Sequence, residues 1–285
     1  MLILDGKTTA ASLRATLKKE INSLLPDAER APNLAVLLVG DDPASQVYVR
    51  NKERACAEVG IETITYRLPA HAKQMDVTHL ISQLNVDDGV DGILLQLPLP
   101  APIKAQPCLE AINPHKDVDG LHPENQGNLS LGLPGLRPCT PAGVIALLRH
   151  YKLSVDGKKA VVVGRSNLVG RPLALMLGSR DNNATVTMCH SGTRNLAEEC
   201  RQADFLFTAV GEPRFITADM VREGAVVVDI GITRQENGLC GDVDFEAVSR
   251  KASALTPVPG GIGPMTISQL LANTVKAWKR RNGLL

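Results

Sequence analysis

Tyr48 and Lys52 stand four residues apart in the stretch SQVYVRNKERACAEVG, residues 45–60. On a helix that spacing puts the phenol and the ammonium about 40° apart around the axis, so both reach one bound molecule. A tyrosine so placed can act as an acid whose pKa the neighbouring lysine lowers. The same spacing also describes an ordinary solvated helix face.

A second constellation lies in VVVGRSNLVGRPL, residues 161–173. An apolar run enters Gly164, and Gly170 follows as a helix opens. Gly164 permits a tight turn and a close backbone approach, and a helix N-terminus offers N–H groups to a pyrophosphate. The pattern is Gly-x-Ser-x-x-x-Gly rather than the usual Gly-x-Gly-x-x-Gly. Gly164, Arg165, Ser166 and Gly170 are therefore expected to hold a dinucleotide. An NAD site usually places a carboxylate after the next strand to hold the ribose hydroxyls. That place holds CHSGTR, residues 189–194, with no acid. Arg165, Ser191 and Arg194 suit a 2′-phosphate, so NADP is the expected cofactor.

The elements that must carry these groups alternate along the chain. Leu13, Leu17, Ile21 and Leu24 mark a helix over 8–25, and LAVLLVG (34–40) reads as a buried parallel strand. The helix with Tyr48 and Lys52 starts near Asp42-Pro43 and Ser45 and stops at Gly60. Strands over 61–69 and 92–100 flank a helix near 76–85. Residues 113–138 are rich in Gly, Pro and Asn, and are expected to be a functional linker. A helix over 140–151 follows, with Thr140 as a cap and Pro141 in its first turn. The second half alternates strands at 159–164, 184–191, 204–211 and 224–232 with helices at 165–177, near 194–202 and after Thr217. That is a doubly wound, Rossmann-like pattern. A closing amphipathic helix over 264–282 is long enough to pack back on the first domain. The expected fold class is α/β with two α/β domains and an active-site cleft between them. Residues 1–138, completed by 264–285, form the catalytic domain, and 139–263 form the nucleotide domain.

Lys plus Arg number 31 against 30 Asp plus Glu, which leaves no global field to gather nucleic acid or an anionic membrane. The 44% hydrophobic content fills cores of this size. No stretch supplies the roughly 18 apolar residues of a membrane span, and the start of the sequence lacks a signal-peptide centre. A soluble, cytoplasmic protein is expected. The six cysteines are scattered, as reduced packing thiols are. His115 and His122 flank Asp117 and Asp119, but Gly120 between them and Pro114 and Pro123 beside them spoil a helical ligand pair, so no metal is expected. The absence of Gly-x-x-x-x-Gly-Lys-Ser/Thr argues against an ATP-dependent ligase, and the length leaves no room for another domain.

Taken together, DDPASQVYVRNK (41–52), DGILLQLPLP (91–100), DVDG (117–120), GRSNLVGRP (164–172) and PVPGGIGPMT (257–266) resemble the bifunctional methylenetetrahydrofolate dehydrogenase/cyclohydrolase family, in its order and over essentially the whole chain. Tyr-x-x-x-Lys also marks short-chain dehydrogenases, but there the pair follows the nucleotide turn within one domain, whereas here it precedes Gly164.

The resemblance implies NADP-dependent oxidation of 5,10-methylenetetrahydrofolate, then hydrolysis to 10-formyltetrahydrofolate. The first step needs ring alignment rather than a nucleophile, and the second needs proton traffic. Lys52 is implied for the hydrolase step, because a cationic substrate and shielding from water lower its pKa. Gln96 would direct the lysine, Tyr48 would orient substrate, and Ser45 would join that network or cap its helix. Asp119, with Asp117 as a competing carboxylate, would accept both N–H donors of the pterin's aminopyrimidine edge. Val47, Leu97, Pro98, Pro100, Pro259, Gly260 and Gly261 would line the pterin slot. Val169, His190, Ser191, Gly231, Ile232 and Thr274 would complete the cofactor site. A cytoplasmic homodimer joined through the nucleotide domain, serving one-carbon metabolism and purine biosynthesis, is implied. The rivals are another two-domain dehydrogenase of the shikimate type, acting on a hydroxy acid, and a ligand-binding regulator without turnover.

Overall fold

The computed structural model describes residues 1–236 and 238–285. In chain order it contains β1 (Leu2–Ile3), α1 (Gly6–Leu24), β2 (Asn33–Val39), α2 (Pro43–Val59), β3 (Glu62–Leu68), α3 (Gln74–Val86), β4 (Gly92–Leu95), α4 (Ala105–Ala111), α5 (Pro123–Ser130) and α6 (Cys139–His150). There follow β5 (Lys159–Val163), α7 (Gly170–Leu177), β6 (Thr185–Cys189), α8 (Leu196–Arg201), β7 (Phe205–Thr208), β8 (Val226–Asp229), β9 (Thr233–Gln235), β10 (Gly238–Cys240), α9 (Phe245–Val248), β11 (Ala254–Leu255) and α10 (Ile262–Arg281). The chain divides into two compact units, Ser12–Cys139 with Ile267–Leu285, and Met1–Ala11 with Thr140–Thr266.

In the first of these, β2 is the centre of a three-stranded parallel sheet of order β3-β2-β4. All seven β2 residues are buried, as expected of a parallel strand covered on both faces. Its period of two splits them cleanly. Ala35, Leu37 and Val39 join Val77, Ile81 and Leu84 of α3 and Cys108 of α4, whereas Leu34, Val36 and Leu38 join Val49, Cys56 and Val59 of α2. The second cluster also contains Leu270, Leu271, Val275 and the fully buried Trp278 of α10, whose indole N–H donates to the Arg30 carbonyl at 2.9 Å.

The other unit carries a six-stranded sheet of order β1-β11-β8-β7-β5-β6, parallel throughout. Sequence periodicity leads to four of these strands. The two extra ones are two residues long, too short for an alternation signal. Leu2 and Ile3 pair with Ala254 and Leu255, so the first residues belong to this sheet and not to a continuous body of residues 1–138.

Other boundaries shift for local reasons. The strand expected over 92–100 ends at Leu95, because Pro98 and Pro100 have no N–H to give a ladder. The helix expected from 165 starts at Gly170, so residues 165–169 form a loop that turns about Ser166. The segment 113–138 contains α5, with Pro123 in its first turn and the His122 ring accepting from the Glu124 N–H. Helix α6 begins one residue before Thr140, whose hydroxyl meets that of Thr266 at 3.0 Å.

Candidate active site

Helix α2 sets Lys52. Asp42 caps it by accepting from the Ser45 N–H at 2.8 Å and the Ser45 hydroxyl at 2.7 Å, and Gly60 ends it in the left-handed region at φ 90°. Ser45 therefore serves the cap of its own helix. The core-facing stripe of α2 runs Ser45, Val49, Cys56 and Val59. Lys52 falls in the gap of that stripe at helical spacing, and so is carried inward. Tyr48 sits at its margin, 41% exposed, and its hydroxyl has no hydrogen-bond partner among the described residues.

The Lys52 ammonium donates to Gln96 Oε1 at 2.9 Å, and Gln96 Nε2 donates to the Leu97 carbonyl at 2.6 Å. The second bond commits the amide nitrogen, so the oxygen faces the lysine. Gln96 follows β4 immediately, and its N–H donates to Leu37 of β2, which fixes it on the sheet. Burial pulls the Lys52 pKa below the ordinary lysine value, and the Asp119 carboxylate works in the opposite direction. Burial pushes the neighbouring Cys56 thiol up to about 12, and burial also drives Cys139 well above its usual value, with the charge of Asp119 second. Both thiols beside the lysine are thus neutral packing groups, the role expected from the scattered cysteine pattern.

The two candidate carboxylates separate clearly. Asp117 is buried and accepts from the His122 N–H at 2.7 Å and from Asn125 Nδ2 at 2.9 Å, so it braces its loop. Asp119 is half-buried and acts electrostatically on Lys52. Gly120 beside it has φ 73°, and a Cβ there would lie 2.4 Å from the Arg137 carbonyl carbon. Leu97 and Pro100 are half-buried, and Val47 and Pro98 are exposed. Lys52, Gln96 and Asp119 form one group, and Tyr48 borders it.

In the other unit Gly164 has φ 122°, and a Cβ on it would lie 2.4 Å from the Ala209 carbonyl oxygen. A Cβ on Gly170 would lie 2.0 Å from the Gly164 carbonyl oxygen. The two glycines of the pattern thus pack on each other. Ser166 Oγ accepts from the Val169 N–H at 3.1 Å, so part of the expected free helix terminus is already satisfied from within the loop. Arg165 and Ser166 remain exposed. After β6, His190 accepts from the Gly192 N–H at 3.0 Å through Nδ1, and its own N–H donates to Thr193 Oγ1 at 2.9 Å. His190 is half-buried in this turn, while Ser191 and Arg194 are exposed.

The remaining expected residues have local explanations. Gly231 is buried because the Asp242 carboxylate occupies the space a Cβ would need, 2.0 Å from Oδ1, while Ile232 next to it is 39% exposed. Gly260 has φ 108°, and a Cβ on Gly261 would lie 2.6 Å from the Pro257 carbonyl oxygen, with Pro259 exposed beside them. Thr274 is a correction: it has no exposed surface, and its hydroxyl donates to the Leu270 carbonyl at 2.9 Å, which leaves no face for a cofactor. His115 and His122 bond to Arg280 and to α5 respectively, and no group of three His, Cys, Asp or Glu able to hold a metal occurs among the described residues. No helix among them is long and apolar enough to cross a membrane.

A lysine held by Gln96 in one α/β unit and a glycine-turned strand–helix loop in the other are features of a nucleotide-dependent enzyme. The chain belongs to the tetrahydrofolate dehydrogenase/cyclohydrolase family: the catalytic-domain pattern matches residues 4–119 and the NAD(P)-binding-domain pattern residues 138–282. It is 67% identical over 286 residues to the Bifunctional protein FolD of Nitratidesulfovibrio vulgaris strain DP4, with 100% of both chains covered. The structure of the bifunctional FolD enzyme from Campylobacter jejuni matches with a TM-score of 0.95 at 50% identity, over 99% of each chain. The Trypanosoma brucei dehydrogenase-cyclohydrolase, solved with NADP cofactor and inhibitor, matches at 0.93 and 35% identity over 98% of each. The protein is a bifunctional methylenetetrahydrofolate dehydrogenase and methenyltetrahydrofolate cyclohydrolase.

Proposed function

We propose that Lys52 moves the proton in the hydrolase step, directed by Gln96, while Asp119 holds the pterin and Tyr48 orients the one-carbon unit. The observation that carries this reading is the 2.9 Å bond from Lys52 to Gln96 Oε1 around a lysine whose pKa burial depresses. A cationic methenyl carbon beside the amine depresses it further, and a carboxylate engaged by two pterin N–H donors has less charge to offer the lysine. Both changes favour the free amine when substrate is bound. Leu97, Pro98, Pro100 and Val47 supply apolar surface to the ring, with Pro259, Gly260 and Gly261 as further slot residues.

NADP is the cofactor, and when bound it accepts the hydride removed from 5,10-methylenetetrahydrofolate. The loop fits it. The packed pair Gly164 and Gly170 brings backbone close to the ligand position, Ser166 and Val169 shape the turn, and no carboxylate follows β6 to repel a 2′-phosphate. Arg165 with Ser191 reads that phosphate, and His190 and Ile232 border the nucleotide. The protein acts in the cytoplasm, as a homodimer, in the one-carbon supply to purine synthesis. Sedimentation velocity tests the dimer.

The function is tested by supplying 5,10-methylenetetrahydrofolate and NADP and following methenyl absorbance. Absorbance that rises and then decays as 10-formyltetrahydrofolate forms is the expected result. Turnover of a hydroxy acid with no methenyl signal, or nucleotide binding without any product, ends the reading.

A further inference from the structure

Two buried carboxylates outside the expected site residues, Asp229 at the end of β8 and Asp242 after β10, gather the segments that leave β7 and β8. Asp229 Oδ1 accepts from the N–H groups of Gly231 and Asp242, each at 3.0 Å, and from the Thr208 hydroxyl at 3.3 Å, while its Oδ2 accepts from the Val243 N–H at 2.9 Å. Asp242 Oδ2 accepts from the Val210 N–H at 2.7 Å and its Oδ1 from the Glu212 N–H at 3.0 Å. Neither carboxylate has a cationic partner in these bonds. Each is held by backbone donors, the arrangement in which an acceptor-only group can satisfy several N–H groups at once.

The clasp is reciprocal. A Cβ on Gly231, two residues after Asp229, would lie 2.0 Å from Asp242 Oδ1, and a Cβ on Gly241, beside Asp242, would lie 2.0 Å from Asp229 Oδ2. The sequence spells this as Asp-Ile-Gly at 229–231 and Gly-Asp at 241–242. The segments so joined are 209–212 after β7 and 230–232 after β8, and the Thr233 hydroxyl ties them again at the Gly211 carbonyl, 3.1 Å away. Ligands of doubly wound sheets sit outside the carboxyl ends of the strands. The clasp also reaches the nucleotide turn, because the Ala209 carbonyl is the group that forces glycine at 164, and the Ala209 N–H donates to Val163 at 2.8 Å.

We propose that Asp229 and Asp242 are positioning residues for the dehydrogenase step, holding segments 209–212 and 230–232 where they bound the dinucleotide beside the Gly164 turn. This rests on the reading that residues 164–170 bind NADP. An amide in place of either carboxylate turns one acceptor into a donor facing an N–H, which opens the clasp while preserving shape.

The test compares Asp229→Asn and Asp242→Asn with the parent enzyme. For each, the Michaelis constants for NADP and for 5,10-methylenetetrahydrofolate are measured, together with hydrolysis of methenyltetrahydrofolate supplied without nucleotide. The expected result is a rise of tenfold or so in the NADP constant, with the folate constant and the hydrolase rate within about twofold of the parent. An unchanged NADP constant in both variants overturns the proposal. So does parallel loss of both activities with loss of folded signal in circular dichroism, which would make the clasp a general support. If one variant fails to fold, the other decides by the same readings. A parent enzyme without methenyl product would instead sink the folate reading, so the two failures are distinct.

Discussion

At the scale of single residues, one amine and one amide carry the most specific expectation. Lys52→Met should lower methenyl hydrolysis by about 100-fold or more, the usual weight of a general acid–base group, with folate affinity changed far less. Hydrolysis by Lys52→Met at the parent rate would remove the lysine from the mechanism. The sign of its pH dependence follows from the same contacts. Burial lowers the Lys52 pKa, so the free amine and the hydrolase rate should rise with pH through a midpoint below 10.5. Gln96→Glu places a carboxylate against the ammonium, favours its charged form and should move that midpoint upward. A midpoint that stays still would separate the measured titration from Lys52. Asp229 titrates in the opposite sense to a salt-bridged acid. Burial raises its pKa from 3.8 to about 6, so the folded chain holds its proton more tightly than the unfolded chain. The stability of the parent relative to Asp229→Asn should therefore fall as pH rises between those two values, by up to about 3 kcal/mol, measured by urea unfolding at several pH values.

At the scale of elements, α2 and the turn before α7 do the positioning. Asp42→Ala removes the cap of α2 and should cost about 1 kcal/mol of stability, seen as a lower denaturation midpoint. Gly170→Ala sets a methyl 2.0 Å from the Gly164 carbonyl oxygen, so it should weaken NADP binding by about tenfold or prevent the nucleotide unit from folding. Normal NADP affinity in a folded Gly170→Ala enzyme would mean that the turn relaxes freely. Helix α2 is legible because Asp42, Pro43 and Gly60 state its ends, whereas the face it turns to the core is seen only in the packing of Val49, Cys56 and Val59. The start of α7 is not, because the Gly-x-Ser-x-x-x-Gly pattern does not say how many of the residues between its glycines are helical, and the helix begins only at Gly170.

At the scale of the whole molecule, α10 is the element that completes a core assembled from distant chain segments. Trp278→Ala removes a fully buried indole and its bond to the Arg30 carbonyl and should cost about 3–5 kcal/mol, read from denaturant unfolding. The sequence by itself determined the alternating α/β order, the helix that carries Tyr48 and Lys52 one turn apart, the nucleotide turn at Gly164 and the want of a carboxylate after β6, because these depend on periodicity and on glycine and proline chemistry close in the chain. Only the tertiary structure decided that Leu2 and Ile3 extend the large sheet, that Asp117 braces a loop while Asp119 stays near the lysine, that Thr274 is enclosed, and that Asp229 and Asp242 clasp each other's glycine. Each of those outcomes depends on which backbone N–H groups and carbonyls arrive from far along the chain, and a local pattern carries no record of them.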